Sequence, residues 1–94
     1  MTEAVDRRGR IEAKLRDALD AQHIEVIDES AAHAGHAGAQ SGGGHFRALI
    51  VSERFAGQNP VSRQRLVYAA LAEEMKSEIH ALALRTLTPA EWRD

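Results

Sequence analysis

Between Phe46 and Leu87 the chain reads as a strand, a helix and a second strand, and that order narrows its topology more than any other feature. His45 to Phe55, HFRALIVSERF, alternates Phe46, Ala48, Ile50 and Ser52 on one face with Arg47, Leu49, Val51 and Glu53 on the other. Its middle is apolar on both faces, which predicts a central strand. From Arg63 to Met75 the apolar residues Leu66, Val67, Ala70, Leu71 and Met75 recur at helical spacing. His80 to Leu87, HALALRTL, then predicts a strand with Leu82 and Leu84 facing the core alongside His80. A strand, a crossover helix and a strand in one sheet favour a parallel pair joined right-handedly.

The N-terminal part fits beside this unit. Ile11, Leu15, Ala18 and Leu19 place an apolar stripe on a helix expected from roughly Asp6 to Ala21, with Glu12 and Arg16 as a favourable i,i+4 pair. His23 to Glu29, HIEVIDE, alternates strictly and predicts a half-buried strand. It should pair with the Phe46 strand as an antiparallel hairpin. At the end of the chain, Thr88, Pro89 and Glu91 spell a capped start for one short helix, and Trp92 should anchor it. In Ala56 to Ser62, AGQNPVS, Asn59-Pro60 marks a turn, with Ser62 as the expected cap of the following helix. The predicted fold is therefore α/β, a single α-β-β-α-β-α domain with a three-stranded mixed sheet and its helices packed on one face.

The tip of the hairpin is unusual. Ala31 to His45, AAHAGHAGAQSGGGH, holds three of the five histidines and five of the seven glycines. A Gly-rich loop of this length inside a small domain is functional or disordered. Residues 31–44 are expected to be a flexible loop within a domain covering residues 1–94, whose core runs from 11 to 92.

Composition limits what such a chain can do. Ninety-four residues suffice for one two-layer core. A net charge of −2 argues against a strongly nucleic-acid-seeking surface. With no cysteine, the chain forms no disulfide and cannot by itself supply the thiolates that iron–sulfur sites use. No apolar run approaches the roughly 20 residues of a membrane span, and the N-terminus lacks a signal-like apolar segment, so a cytoplasmic location is expected.

The residues that could carry chemistry are mostly histidines. His80 opens the last strand just after a helix. It reads either as a histidine satisfying helix C-terminal carbonyls or as a metal ligand at a strand edge near the hairpin tip. His33 and His36 offer two imidazoles on a Gly-rich backbone, which alone is a weak metal signal. The GxxG from Gly35 to Gly38 lacks any loop lysine or arginine and is read as accidental. His45 reads as a strand start, and His23 as helix-capping or exposed. The acidic and basic residues Glu73, Glu74, Lys76 and Glu78 read as a solvated face. Arg54, Arg63 and Arg65 cluster about the Asn59-Pro60 turn and would serve either as a phosphate-facing patch or as a solvated surface. No nucleophile elbow, phosphate loop or spaced carboxylate pair is present, and neither an enzymatic role nor a small-molecule substrate is expected.

Taken together, IEAKLRDAL, VIDES, HFRALIVSERFAGQNPVSRQRLVYAALAEEM and IHALALRTLTPAEW resemble the BolA family from Ile11 to Trp92. The resemblance implies a fold related to class II KH domains. It implies pairing with a monothiol glutaredoxin and sharing of a [2Fe–2S] cluster with that partner and its glutathione, in cluster assembly, transfer or iron regulation. No cofactor is then expected in the isolated chain. The family's ligand histidine in the H-A-L-A-L segment matches His80. Its E-S-x-x-H loop pattern matches Glu29 to His33, making His33 the loop ligand with His36 as the alternative. Some members of the family are described as DNA-binding transcriptional regulators; that alternative would use the KH-like surface and the patch of Arg54, Arg63 and Arg65.

Overall fold

A computed structural model describes residues 7–29 and 44–93. In chain order the elements are α1 (Arg7–Leu19), β1 (His23–Asp28), β2 (Gly44–Val51), a 3-10 turn (Glu53–Phe55), α2 (Pro60–Ala70), α3 (Ala72–Ser77), β3 (Ile79–Leu87) and α4 (Pro89–Arg93). The sheet has three strands in the order β1-β2-β3. β1 pairs antiparallel with β2, His23 opposite Val51 and Asp28 opposite Phe46. β2 pairs parallel with β3, Phe46 opposite Leu82 and Val51 opposite Leu87. The parallel crossover and the central place of the Phe46 strand agree with the sequence.

The core lies between one face of the sheet and the long helices. Ile11, Leu15 and Leu19 of α1, at i, i+4 and i+8, meet Ile24 and Val26 of β1 and Phe46, Ala48 and Ile50 of β2. Val67, Leu71 and Phe55 complete the cluster, and Leu82 and Leu84 pack against it from β3. Burying each of the larger aliphatic or aromatic side chains is worth about 1.5–3 kcal/mol. Ala18 and Leu66 fall on the flanks of their helices and stay exposed. Salt bridges tie the helices together at the rim, Lys14 to Glu74 at 2.8 Å and Arg10 to Glu78 at 2.8 Å. Two of the four residues read as a solvated face are therefore interhelical pins. Glu12 lies between Arg8 and Arg16, whose guanidinium groups hold its carboxyl below the usual value.

Several boundaries differ from the sequence reading for local reasons. β2 ends at Val51, because the buried Ser52 turns the chain: its hydroxyl accepts from Arg54 N at 3.0 Å and donates to the Leu19 carbonyl. The cap of α2 is Asn59, not Ser62. Asn59 Oδ1 accepts from Ser62 N at 2.8 Å, Pro60 takes the first helical position, and a residue before proline is excluded from the helical region. The helix expected to run to Met75 breaks at Leu71, whose backbone (φ −105°, ψ 22°) separates α2 from α3. At the end of the chain the capping box forms: Glu91 N donates to Thr88 Oγ1 at 3.1 Å, and Thr88 N to Glu91 Oε1 at 2.8 Å.

Candidate functional site

The face of the sheet away from α1 and α2 is the open one. Ile27, Leu49 and Ala83 line a shallow groove there, bordered by Glu25, Arg47 and Arg85. Ile27 is 49% exposed, high for an isoleucine on a strand. At one end of this face α4 folds over, with Trp92 stacked on His23 at 4.4 Å between ring centroids and 21° between planes. His23 Nε2 also lies 2.7 Å from Glu25 Oε2. His23 is thus the seat of the terminal helix, neither a helix cap nor a free side chain.

The opposite end carries a second pair of rings. His45 is the second residue of β2, and its ring centroid lies 5.3 Å from that of His80, the planes tilted by 43°. Strand alternation explains His45, since Phe46, Ala48 and Ile50 are buried and odd-numbered neighbours point the other way. His80 needs more. Leu82, Leu84 and Thr86 alternate toward the core, and an unbroken strand would carry His80 inward with them. Instead Gly44 pairs with Ile79 and His45 with Ala81, so His80 is one extra residue in β3 at an irregularity of the ladder. Such a bulge re-aims side chains. Here Ile79 takes the buried place and His80 is exposed, which corrects the expected core-facing placement.

The backbone around this pair is held from several directions. Gly44 N donates to Glu78 O at 2.9 Å and Glu29 N to His45 O at 2.7 Å. Arg7 Nη1 reaches Glu78 O at 3.2 Å, and Arg10 grips the Glu78 carboxylate. Glu29 and Gly44, which bracket residues 30–43, are therefore both fixed at the histidine end of the sheet. His33 and His36 lie outside the described residues, as does the expected loop 31–44 apart from Gly44, which opens β2.

His45 is the residue that sequence reasoning set aside. A partial signal for it existed: a histidine opens each of the two segments read as parallel strands, although the ladder sets His45 opposite Ala81. The bulge at His80 has no comparable sequence signature.

The arginines divide. Arg63 donates to Gln58 O at 2.9 Å, to Thr86 O at 3.0 Å and to Glu91 at 2.8 and 3.2 Å, and lies 5.9 Å from the Phe55 ring centre. Its guanidinium and the Thr88 backbone N–H hold the Glu91 carboxyl down to about 2. Arg63 thus clamps α4 to the body of the domain. Arg54 and Arg65 are exposed. Among the described residues no group of three or more histidine, cysteine or acidic side chains converges on one metal position, and no helix is long and apolar enough to cross a membrane.

Residues 15–91 match the family model described as BolA-like protein. The chain is 46% identical over 84 residues to "BolA-like protein 1" of Mus musculus, covering 89% of this chain and 59% of that one. It is 47% identical over 85 residues to the "DNA-binding transcriptional regulator BolA" of Escherichia coli, covering 90% of this chain and 78% of that protein. The chain thus spans less than two thirds of the mouse relative's length. Among solved structures, the BolA domain of SufE1 from Arabidopsis thaliana superposes with a TM-score of 0.79 at 44% identity, over 92% of this chain and 95% of that domain.

Proposed function

This chain belongs to the BolA family, and from that premise we propose that it is a binding module that joins a monothiol glutaredoxin and co-ligates a [2Fe–2S] cluster with it. The reading rests above all on His80, an exposed imidazole that a bulge turns outward at the strand edge. The second imidazole comes from residues 30–43, His33 by its match to the family pattern and His36 as the alternative. Reach favours this. His33 follows the fixed Glu29 by four residues, so a fully extended chain carries it no farther than about 14 Å.

The donor set fits half of such a group. Two imidazoles can replace two thiolates on one iron, and a chain without cysteine leaves the remaining positions to a partner's thiolates. The cluster, when bound, supplies a one-electron redox centre whose potential histidine ligation raises. The protein's own contribution is to present neutral imidazole nitrogens, hold His80 outward and offer the open sheet face to the partner.

Co-reconstitution tests this. Mixed with a cluster-loaded monothiol glutaredoxin, the chain should give a heterodimer with an altered visible circular dichroism spectrum. His80→Ala should abolish the change, and His33→Ala or His36→Ala should identify the loop ligand. An unchanged complex spectrum with His80→Ala defeats the reading.

A second reading draws on the Escherichia coli relative's name, DNA-binding transcriptional regulator. It would use the exposed Arg54 and Arg65, with Arg63 committed to Glu91. Duplex binding should then weaken steeply with salt, and each arginine removed should lower the slope by about one. No binding at ~50 mM salt eliminates it.

A further inference from the structure

His45 and His80 lie close enough to act together before any partner arrives. Their rings come from hydrogen-bonded neighbouring strands, so the backbone of the sheet sets their separation. That separation has a chemical meaning. An imidazole nitrogen about 2.0–2.1 Å from zinc puts its ring centre about 3.2 Å from the metal, and two such rings at a tetrahedral angle stand about 5.2 Å apart. The observed centroid distance is 5.3 Å. Rings at a right angle, as in octahedral coordination, would stand about 4.5 Å apart.

We propose that His45 and His80 form a two-imidazole site for a single borderline first-row divalent cation, of the class of zinc, in the free chain. Imidazole donors suit zinc, copper, nickel and iron and disfavour magnesium and calcium, which seek oxygen. The described residues offer no third ligand, so the remaining positions are open to water or to an incoming donor. The bulge gains a purpose from this. Without the extra residue in β3, His80 would point into the core with Leu82 and Leu84, on the opposite face of the sheet from His45. The site shares His80 with the cluster reading but stands without it. A cation held there and a cluster ligated by His80 exclude one another.

The test uses the isolated full chain and Zn²⁺ alone, followed by the histidine ring resonances in NMR and by competition with a chromophoric chelator. One Zn²⁺ should bind per chain, shifting the His45 and His80 ring signals together, while Mg²⁺ shifts neither. His45→Ala and His80→Ala should each weaken binding at least ~10-fold, and His33→Ala and His36→Ala should stay within about twofold. Because His45 is half-buried, His45→Gln serves beside the alanine variant, with a thermal melt to show that the fold is kept. Zn²⁺ binding that survives His45→Gln overturns the proposal, and so does a loss carried by His33 or His36. Either failure leaves the glutaredoxin reading to its own test, which is read only with the partner present.

Discussion

Replacing Ser52 with alanine removes one hydroxyl and should cost far more than a change of that size at an exposed position. Ser52 is fully buried, and its Oγ donates to the carbonyl of Leu19, the last residue of α1. The same oxygen accepts from Arg54 N at 3.0 Å and so caps the 3-10 turn that carries Phe55 into the core. Its backbone N–H, donating to Leu87 O at 2.9 Å, is untouched by the substitution. Alanine therefore leaves one acceptor in a buried setting, worth about 1–3 kcal/mol, and one turn without its cap, worth about 1 kcal/mol. Together these give about 2–4 kcal/mol, and for a chain of this size a fall in Tm of about 8–32 °C. Thermal and urea melts followed by circular dichroism measure it. A variant melting within about 3 °C of the parent would mean that the hydroxyl does not carry both bonds, and the account of why β2 stops at Val51 would fail with it.

Other expectations are smaller in scope. Asn59→Ala should lower stability by about 1 kcal/mol through loss of the α2 cap, and Ser62→Ala should change it by less than about 0.5 kcal/mol; the reverse order in melts would return the cap to Ser62. Leu15→Ala, which empties space in the core cluster that also holds Phe46, Ile50 and Leu71, should cost about 2–5 kcal/mol in denaturant unfolding. Acid titration should reveal the clamped carboxylates. Glu12 and Glu91 have lowered values, and Glu74 joins them: burial alone would raise it, but Lys14, a backbone N–H and Arg10 outweigh that. A carboxyl held below its unfolded value contributes stability above that value and loses it as the pH falls through the folded one. Stability should therefore hold above about pH 5 and decline from about 4.5 toward 2, where Glu91 takes up its proton. Glu91→Gln should flatten the lowest part of that decline.

Periodicity made most of the fold legible. The i, i+4, i+8 pattern of Ile11, Leu15 and Leu19 located α1, and Phe46, Ala48 and Ile50 oriented β2. The Thr88-Pro89-Glu91 box formed as written because capping is decided within four residues. What escaped depended on contacts distant in sequence. Ser52 looked like one more residue of an alternating strand, and only the end of α1, 33 positions away, makes it a turn. Arg63 looked like part of a basic patch, yet its partners are Thr86 and Glu91. At the candidate site, His80 stood out from the motif around it, but its outward placement comes from a ladder irregularity that alternation cannot anticipate. His45 carries no signal within its own segment, because a residue at the start of a predicted strand needs no further reason to be there.

The pairing of β2 with β3 also governs when the two imidazoles meet. His45 and His80 are 35 residues apart, and nothing local brings them together. They become neighbours only once the crossover between β2 and β3 has closed, a step whose entropy must be met before the parallel contacts return it. A chain still emerging from the ribosome, or one opened by urea, therefore lacks the pair. Cation retention at the sheet edge would then report the completion of folding, and the imidazole resonances would be late markers in a refolding experiment.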